Sequence, residues 1–275
     1  MVKWDAVDYA RNSTAQLGWA QELIGKLGLV GTERVLDIGC GDGKVSTEIA
    51  RIVTRGEVVG IDLSEDMVNL ASACFPQTEW QNLTFAQGDA SDLRFRAEFD
   101  VVFSNAALHW VADHQPVLQG VKRALRPGGR ALLQMGGRGN AAEILAIVEE
   151  CRSHRKWAHY FNGFTFPYGW HGPEDYERWL RTAGLKAVRV ELIPKDMTQQ
   201  GGDGLAGWVR TTWLPYTQRL PEHLRDQFVG DVVDTYIERH PPDEDGLVHV
   251  DMVRLEVEAV RQASRSAMNG VWILG

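Results

Sequence analysis

The segment that most constrains the fold is RVLDIGCGDGK, residues 34–44, where an apolar run gives way to three glycines at alternate positions. The apolar run predicts a short strand over Arg34–Ile38, and the pattern that follows predicts a helix over Lys44–Ile52. Glycines at 39, 41 and 43 remove side chains where a ligand must approach the backbone closely. The segment therefore predicts a strand, a bare turn and a helix, with a ligand at the turn.

Strand and helix signals alternate through the first half of the chain. Further apolar runs predict strands over Glu57–Ile61, Leu83–Gln87, Asp100–Ser104 and Arg130–Met135. Helical periodicity predicts helices over Glu65–Cys74 and Gln115–Leu125. This alternation indicates an α/β fold in which a parallel sheet is covered by helices on both faces and is doubly wound.

The second half of the chain has a different pattern, with fewer strands and many aromatic residues in the segment 157–170. It predicts strands over Leu185–Ile193 and Val248–Val260. It predicts helices over Ala141–His154, about 173–183, Gly204–Tyr216 and Glu222–His240.

Acidic residues follow the predicted strands at the edge where the glycine turn lies. Asp62 ends the second strand and can accept hydrogen bonds from both hydroxyls of a ribose. Asp89 follows the third strand, where an adenine amino group could donate to it. These positions indicate an adenosine-containing ligand, but they do not distinguish NAD from other cofactors that contain adenosine. A dinucleotide fingerprint needs glycine at 44, where the chain has Lys44, and Asp37 favours a ligand that carries an ammonium or sulfonium group.

Together these motifs resemble the class I S-adenosylmethionine-dependent methyltransferases over residues 30–136. The resemblance rests on Asp-x-Gly-x-Gly-x-Gly from Asp37, the acid at 62, Gly-Asp-Ala at 88–90 and Leu-x-Pro-Gly-Gly at 125–129. It implies a Rossmann-like sheet of seven mostly parallel strands in the order 3-2-1-4-5-7-6, with the seventh antiparallel. The core would then comprise 31–136, 173–193 and 247–262. Residues 1–30 would form a lid helix, 137–172 and 194–246 would be helical insertions that cap the substrate, and 263–275 a tail of unknown role.

The resemblance also implies the cofactor, S-adenosyl-L-methionine, and a set of residues that bind it. We expect Asp62 to bind the ribose, Asp89 the adenine amino group and Asp37 the methionine ammonium through water, with the 39–43 turn under the methionine portion. The full set of expected cofactor contacts is Asp37, Gly39, Cys40, Gly41, Gly43, Asp62, Leu63, Met67, Asp89, Ala90, Ser104 and Asn105.

A narrower similarity concerns the segment Ser104–Val111, which follows the fourth strand. It resembles the trans-aconitate, malonyl-carrier-protein and juvenile hormone acid methyltransferases, which methylate carboxylates. This similarity implies a small acceptor, most simply a carboxylate, and the aromatic residues of the second half predict an apolar pocket that favours an acceptor with apolar or aromatic character. The implied catalytic donors are Gln16, His109 and Trp110, and the implied substrate contacts are Tyr9, Gln16, His109, Trp110, Tyr160, Trp208 and Trp213.

The residues leave two other functions open. A carboxylate is already ionised at neutral pH and needs no base, whereas a hydroxyl, amine or carbon acceptor would use His109 as the base. The chain could also bind the cofactor without catalysing transfer.

Charge and cysteine content narrow the partners. The chain has 29 Lys and Arg against 37 Asp and Glu, a net charge of −8, and lacks a basic run of the kind that binds nucleic acid. The chain contains no run of about 18 apolar residues, so the sequence does not predict a membrane span. Its three scattered cysteines are typical of a cytoplasmic protein. His109/His114 and His154/His159 are each five residues apart, a spacing that does not favour a metal site. The sequence makes no prediction of the oligomeric state.

Overall fold

The computed structural model describes residues 14–263, with side chains from residue 18 onward. It contains one seven-stranded sheet in the order β3-β2-β1-β4-β5-β7-β6, which confirms the predicted topology. The strands are β1 (Arg34–Ile38), β2 (Glu57–Asp62), β3 (Leu83–Gln87), β4 (Phe99–Asn105), β5 (Leu125–Gly136), β6 (Lys186–Gln200) and β7 (Leu247–Val260). The helices are α1 (Thr14–Leu27), α2 (Lys44–Ile52), α3 (Glu65–Cys74), α4 (His114–Ala124), α5 (Ala142–Ser153), α6 (Pro173–Ala183), α7 (Gly201–Thr212), α8 (Leu214–Thr217) and α9 (Glu222–Arg239).

The direction of the strands creates a crevice at one edge of the sheet. Strand β1 pairs in parallel with both β2 and β4, so the chain winds outward from β1 in two directions. In such sheets ligands bind outside the carboxyl ends of the strands at this switch point. Strand β7 is antiparallel to both β5 and β6, as predicted.

Burial follows the predicted pattern of a sheet covered on both faces. Four of the five residues of β1 are buried, and α2 turns Ile49 and Ala50 toward the sheet. A second hydrophobic core, which we call the cap core, lies outside the sheet sandwich. It joins apolar side chains from α5, the segment 157–168, α7 to α9 and the extended ends of β6 and β7.

The bounds of several elements differ from the prediction. Strand β6 continues past Pro194 to Gln200, because residues 194–200 pair with 247–253 of β7 and an edge strand tolerates proline. The helix predicted over 204–216 begins earlier, at Gly201, and ends at Thr212. Pro215 explains the break, since proline lacks an N–H to donate to the Thr211 carbonyl, four residues earlier, and its ring clashes with that carbonyl.

Strand β5 is also longer than predicted. It begins at Leu125, so that the turn-forming Pro-Gly-Gly segment is part of the strand instead of preceding it. Phe99 pairs with Leu125, and the register shifts before Val101 pairs with Arg130. The irregularity accommodates the Pro-Gly-Gly segment.

Candidate active site

A cavity of about 620 Å³ lies at the carboxyl ends of β1, β2 and β4, and we call it the large cavity. The glycine turn after β1 forms one wall, and the loop after β4 forms another. The residues that line it are Ile38, Gly39, Gly41, Asp62, Leu63, Ser64, Glu65, Asp66, Met67, Gln87, Gly88, Asp89, Ala90, Asn105, Ala106, Ala107, Leu108, Trp110 and Val111.

The glycine turn is held against its neighbours by close backbone contacts. Gly39 has a φ of 76°, and a Cβ at this position would lie 2.1 Å from the Cβ of Ala107 in the loop after β4. Gly41 also has a positive φ, but a Cβ there would meet nothing within 4 Å, because the residue faces open space. The N–H groups of Gly39 and Cys40 both donate to the Ile61 carbonyl, at 2.7 and 3.0 Å. Glycine is therefore required at 39 for packing, whereas at 41 it is favoured by the backbone conformation.

Asp62 connects the end of β2 to the glycine turn. Its carboxylate accepts hydrogen bonds from the N–H of Gly41 at 3.0 Å and from the N–H of Ser64 at 2.9 Å. Burial raises the pKa of Asp62 above its usual value, and these backbone hydrogen bonds oppose the shift. A carboxylate has about four lone-pair sites, so each oxygen keeps capacity for a further donor from the cavity.

Asp37 lies beneath the turn and does not line the large cavity. Its side chain is buried and accepts a hydrogen bond from the Ser46 hydroxyl at 2.6 Å. Burial raises the pKa of Asp37 to about 7, and the negative charge of Asp62 adds to that shift. The predicted water-mediated contact between Asp37 and the ammonium group of a ligand would have to pass through the glycine turn.

The other residues predicted to bind the cofactor fall into two groups. Leu63, Met67, Asp89, Ala90 and Asn105 line the large cavity. Asp89 also accepts a hydrogen bond from the Ser91 N–H at 2.7 Å, which fixes the start of a 3-10 turn.

Three predicted cofactor residues lie behind the wall of the cavity. The Ser104 hydroxyl donates to the Ile38 carbonyl at 2.7 Å and so ties β4 to β1. A Cβ on Gly43 would lie 2.7 Å from the Phe85 ring, so this glycine serves the packing of α2. Cys40 is buried, and its Cβ packs against Gly60, where a side chain would lie 3.0 Å away.

A second, smaller cavity of about 50 Å³ adjoins the first, and we call it the aromatic pocket. Ala106 and Trp110 line both cavities, so these two residues form their common wall. The residues that line the aromatic pocket are Ala106, His109, Trp110, Asn140, Tyr168, Trp170, Trp208, Thr212, Trp213, Met252 and Arg254.

His109 is buried among aromatic rings in this pocket. The centroids of the Tyr168 and Trp170 rings lie 5.4 and 5.5 Å from that of the imidazole. Burial lowers the pKa of His109 to about 3, and the positive charge of Arg254 contributes to the shift. The imidazole is therefore neutral at physiological pH, and its Nδ1 atom has no hydrogen-bond partner among the described residues.

The position of the Trp170 ring depends on Gly136, at the end of β5. A Cβ on Gly136 would lie 2.0 Å from Cζ3 of Trp170. The six-membered ring therefore packs directly on the backbone of β5, and Nε1 lies on the opposite edge of the indole. Tyr168 is held by a different contact, since its hydroxyl donates to the Thr212 carbonyl at 2.8 Å.

Arg254 is a residue of the aromatic pocket that sequence reasoning missed. It lies on β7 in phase with the buried residues Val248, Val250 and Met252 and is only 5 % exposed. Its guanidinium carbon lies 4.6 Å from the centroid of the Trp19 ring on α1. A charged residue on the apolar face of an alternating strand was the available signal.

The remaining predicted acceptor contacts have mixed positions. Trp208 and Trp213 belong to the cap core and also line the aromatic pocket. Tyr160 lies against His159 and Trp157 and lines neither cavity. Tyr9 and the side chain of Gln16 lie outside the part of the chain that is described.

Within residues 14–263, no group of three or more His, Cys, Asp or Glu side chains is placed to hold a metal ion. None of the helices in that range combines the length and the hydropathy that a membrane crossing requires.

Comparison with known proteins gives consistent similarities. A family model described as a methyltransferase domain matches residues 30–184. An uncharacterised methyltransferase of Schizosaccharomyces pombe is 33% identical over 205 residues, which cover 70% of this chain and 74% of that protein. A trans-aconitate 2-methyltransferase of Deinococcus radiodurans is 30% identical over 79% of this chain and 83% of its own.

Similarity to solved structures supports the same fold. The phosphoethanolamine N-methyltransferase 2 of Haemonchus contortus, solved with S-adenosyl-L-methionine, superposes with a TM-score of 0.60. The match covers 94% of this chain and 56% of that chain at 21% identity, a level at which the likeness is one of fold.

Proposed function

Since this chain belongs to the S-adenosylmethionine-dependent methyltransferases, we propose that it transfers a methyl group to a carboxylate oxygen of a small organic acid. The observation that carries this proposal is a buried guanidinium, Arg254, in an aromatic pocket that shares a wall with the large cavity. Relatives that are trans-aconitate 2-methyltransferases support the same acceptor chemistry.

The large cavity would hold the cofactor through the residues of its wall. Gly41 leaves the backbone of the turn bare, Asp62 would accept hydrogen bonds from the ribose hydroxyls and Asp89 from the adenine amino group. Asp37 would attract the methionine ammonium through water. The bound cofactor supplies an electrophilic methyl group, whose carbon bonds to the acceptor oxygen while the carbon–sulfur pair of electrons stays on sulfur.

The aromatic pocket would orient the acceptor and exclude water from it. Arg254 supplies a positive charge for a carboxylate, and the surrounding rings lower the local dielectric and so strengthen that attraction. Catalysis by positioning and desolvation of this kind is worth up to about 7–11 kcal/mol in well-oriented systems.

The state of His109 favours a carboxylate over acceptors that need a base. A general base works best with a pKa near the working pH, whereas burial lowers the pKa of His109 to about 3. A carboxylic acid with a pKa of about 4 is ionised at neutral pH and gives up no proton during transfer. His109 would therefore act as a neutral wall of the pocket.

Transfer of a labelled methyl group to a panel of acids, phenols and amines tests this proposal. We expect carboxylates to accept the label, at a rate that is flat between about pH 6 and 8. Transfer to phenols or amines alone would support the rival function, in which His109 acts as the base for a hydroxyl, amine or carbon acceptor. The rate would then rise with pH near 6–7, and this rise would be lost in His109→Asn. Cofactor binding without transfer to any acceptor would indicate a non-catalytic binding protein.

The cofactor site has its own test. Asp62→Ala removes a charge-assisted acceptor, so we expect the dissociation constant for S-adenosylmethionine to rise more than about tenfold by calorimetry. Asp92→Ala is the control, because Asp92 is a largely exposed acid that does not line the large cavity. Equal affinity in the two variants would contradict the assignment of Asp62.

A further inference from the structure

The two adjoining cavities carry opposite charges. The wall of the large cavity contains four acids, Asp62, Glu65, Asp66 and Asp89, and no Lys or Arg from the described residues. The wall of the aromatic pocket contains one charged residue from the same part of the chain, Arg254. A negatively charged acceptor would therefore meet a single cation in this wall, and the described residues in the wall of the large cavity supply no second one.

Two tryptophans in the lining of the aromatic pocket carry buried donors. The Nε1 atoms of Trp170 and Trp213 are buried, and neither has a hydrogen-bond partner within residues 14–263. An indole N–H can only donate, and a buried donor without a partner costs free energy. Because the Cζ3 edge of Trp170 packs on Gly136, the Nε1 edge of the same ring faces away from β5. Both donors and Arg254 suit an acceptor group with several lone pairs.

The size of the pocket limits the group that it can hold. A cavity for one water molecule needs roughly 10–15 Å³. The aromatic pocket has a volume of about 50 Å³ and so has room for a group of a few non-hydrogen atoms, such as one carboxylate. The remainder of an acceptor would extend out of the pocket.

We propose that the aromatic pocket is a subsite for one carboxylate of a monoanionic acid, bound by Arg254 and by the indole N–H groups of Trp170 and Trp213. This inference rests on the proposed function and narrows it to acids whose remaining part is uncharged. A second or third carboxylate would either lie among aromatic rings without a counter-charge or face the acids of the large cavity. Each such charge carries a desolvation cost that the described residues do not offset.

A matched series of unsaturated acids tests the proposed preference for monoanionic acids on the unaltered protein. Crotonate, fumarate and trans-aconitate carry one, two and three carboxylates on related short chains. We expect kcat/KM for methyl transfer to be at least about tenfold higher for crotonate than for fumarate, and lowest for trans-aconitate. Equal or better transfer to fumarate or trans-aconitate would overturn the monoanion subsite and leave carboxylate methylation standing. Transfer to phenols or amines with none to any acid would overturn the proposed function as well.

Two variants test the donors. Trp170→Phe and Trp213→Phe keep an aromatic ring and remove one N–H each, so we expect KM for crotonate to rise about tenfold in each, with cofactor affinity unchanged. Trp157→Phe is the matched control, because the Trp157 Nε1 donates to Asp231 at 2.8 Å within the cap core and lines neither cavity. An unchanged KM in both variants, or an equal rise in the control, would contradict the role of the two indoles.

Discussion

Asp37 shows, at the scale of a single residue, how the fold changes the chemistry of a side chain. Its carboxyl group is buried under the glycine turn and accepts a hydrogen bond from the Ser46 hydroxyl. Burial raises the pKa of Asp37 to about 7, far above the value of about 3.9 in an unfolded chain. At a pH between these two values, Asp37 is therefore protonated in the folded state and ionised in the unfolded state.

The sign of this shift predicts how stability depends on pH. Between pH 6 and 8 the folded state must give up the Asp37 proton while the unfolded state gives up none, so this group lowers the free energy of unfolding as pH rises. For a pKa of about 7 the loss over that interval is about 1.4 kcal/mol. Asp37→Asn keeps the acceptor for Ser46, so we expect urea titrations of the cofactor-free variant to lack this loss. Asp234→Asn, on the exposed surface of α9, is the control, and an unaltered pH dependence in Asp37→Asn would contradict the prediction.

Gly136 is a second residue with an effect beyond its own position. A methyl group there would lie 2.0 Å from Cζ3 of Trp170, and that ring would have to move. We expect Gly136→Ala to lower kcat/KM for the acid acceptor at least about tenfold and to destabilise the fold by about 1–3 kcal/mol. Steady-state kinetics and urea titration measure the two effects.

The control for Gly136→Ala is Gly230→Ala on α9. A Cβ on Gly230 meets nothing within 4 Å, so the same methyl group is added in open space. We expect normal kinetics and slightly increased stability, because alanine favours a helix over glycine. Normal turnover of the acid by Gly136→Ala would show that the position of Trp170 does not matter.

At the scale of elements, α1 is attached to the sheet through charged residues of β6 and β7. Glu256 has a fully buried side chain and accepts hydrogen bonds from Lys26 of α1 at 3.0 Å and from Gln134 of β5 at 3.1 Å. Arg189 of β6 pairs with the same carboxylate. Arg254 lies two residues before Glu256 on the same face of β7 and contacts Trp19 of α1. The helix thus covers the strand that supplies the charge of the aromatic pocket.

This arrangement predicts a large effect of Glu256→Gln on stability. The change leaves Lys26 and Arg189 without their shared anion, and we expect a loss of about 2–3 kcal/mol at pH 7 in urea titrations. This is less than the ~3–5 kcal/mol of a fully buried pair, because both cations are partly exposed. Lys26 and Arg189 hold the pKa of Glu256 below its usual value, although burial opposes them.

The pH dependence and a surface pair provide the checks on Glu256. Because the folded pKa is lowered, the contribution is present above the unfolded value of about 4.3 and is lost as pH falls through the folded pKa. The difference between Glu256→Gln and the unaltered protein should therefore narrow below about pH 4. Glu150→Gln breaks an exposed pair with Arg239, for which we expect a loss of at most about 1 kcal/mol. Equal losses in the two variants would contradict this account.

At the scale of the whole molecule, the aromatic pocket lies where the sheet meets the cap core. Ala106 and Trp110 belong to the loop after β4, whereas Trp208 and Trp213 belong to the cap core. Arg254 comes from β7, which is part of the sheet and also contributes side chains to the cap core. The proposed cofactor site is built from the α/β core alone. A change in the cap core would therefore alter which acceptor the proposed site binds and leave the cofactor site the same.

The sequence by itself predicted the strand–turn–helix units and the glycine turn, because the period of apolar residues, the glycines and the acids at strand ends each lie within one such unit. The resemblance to a known family, which rests on these motifs, implied the sheet order and eight of the residues that line the large cavity. The sequence did not reveal that Ser104 and Asp37 lie behind the cavity wall, since burial depends on neighbouring elements.

Only the tertiary structure decided the aromatic pocket. Its residues come from five segments spread between positions 106 and 254, and no local pattern joins His109 to Trp170 or Arg254. The neutral state of His109 is likewise a product of burial by those distant rings. A site assembled across long separations in the chain depends on packing, because the residues meet only when the sheet and the cap core close on each other.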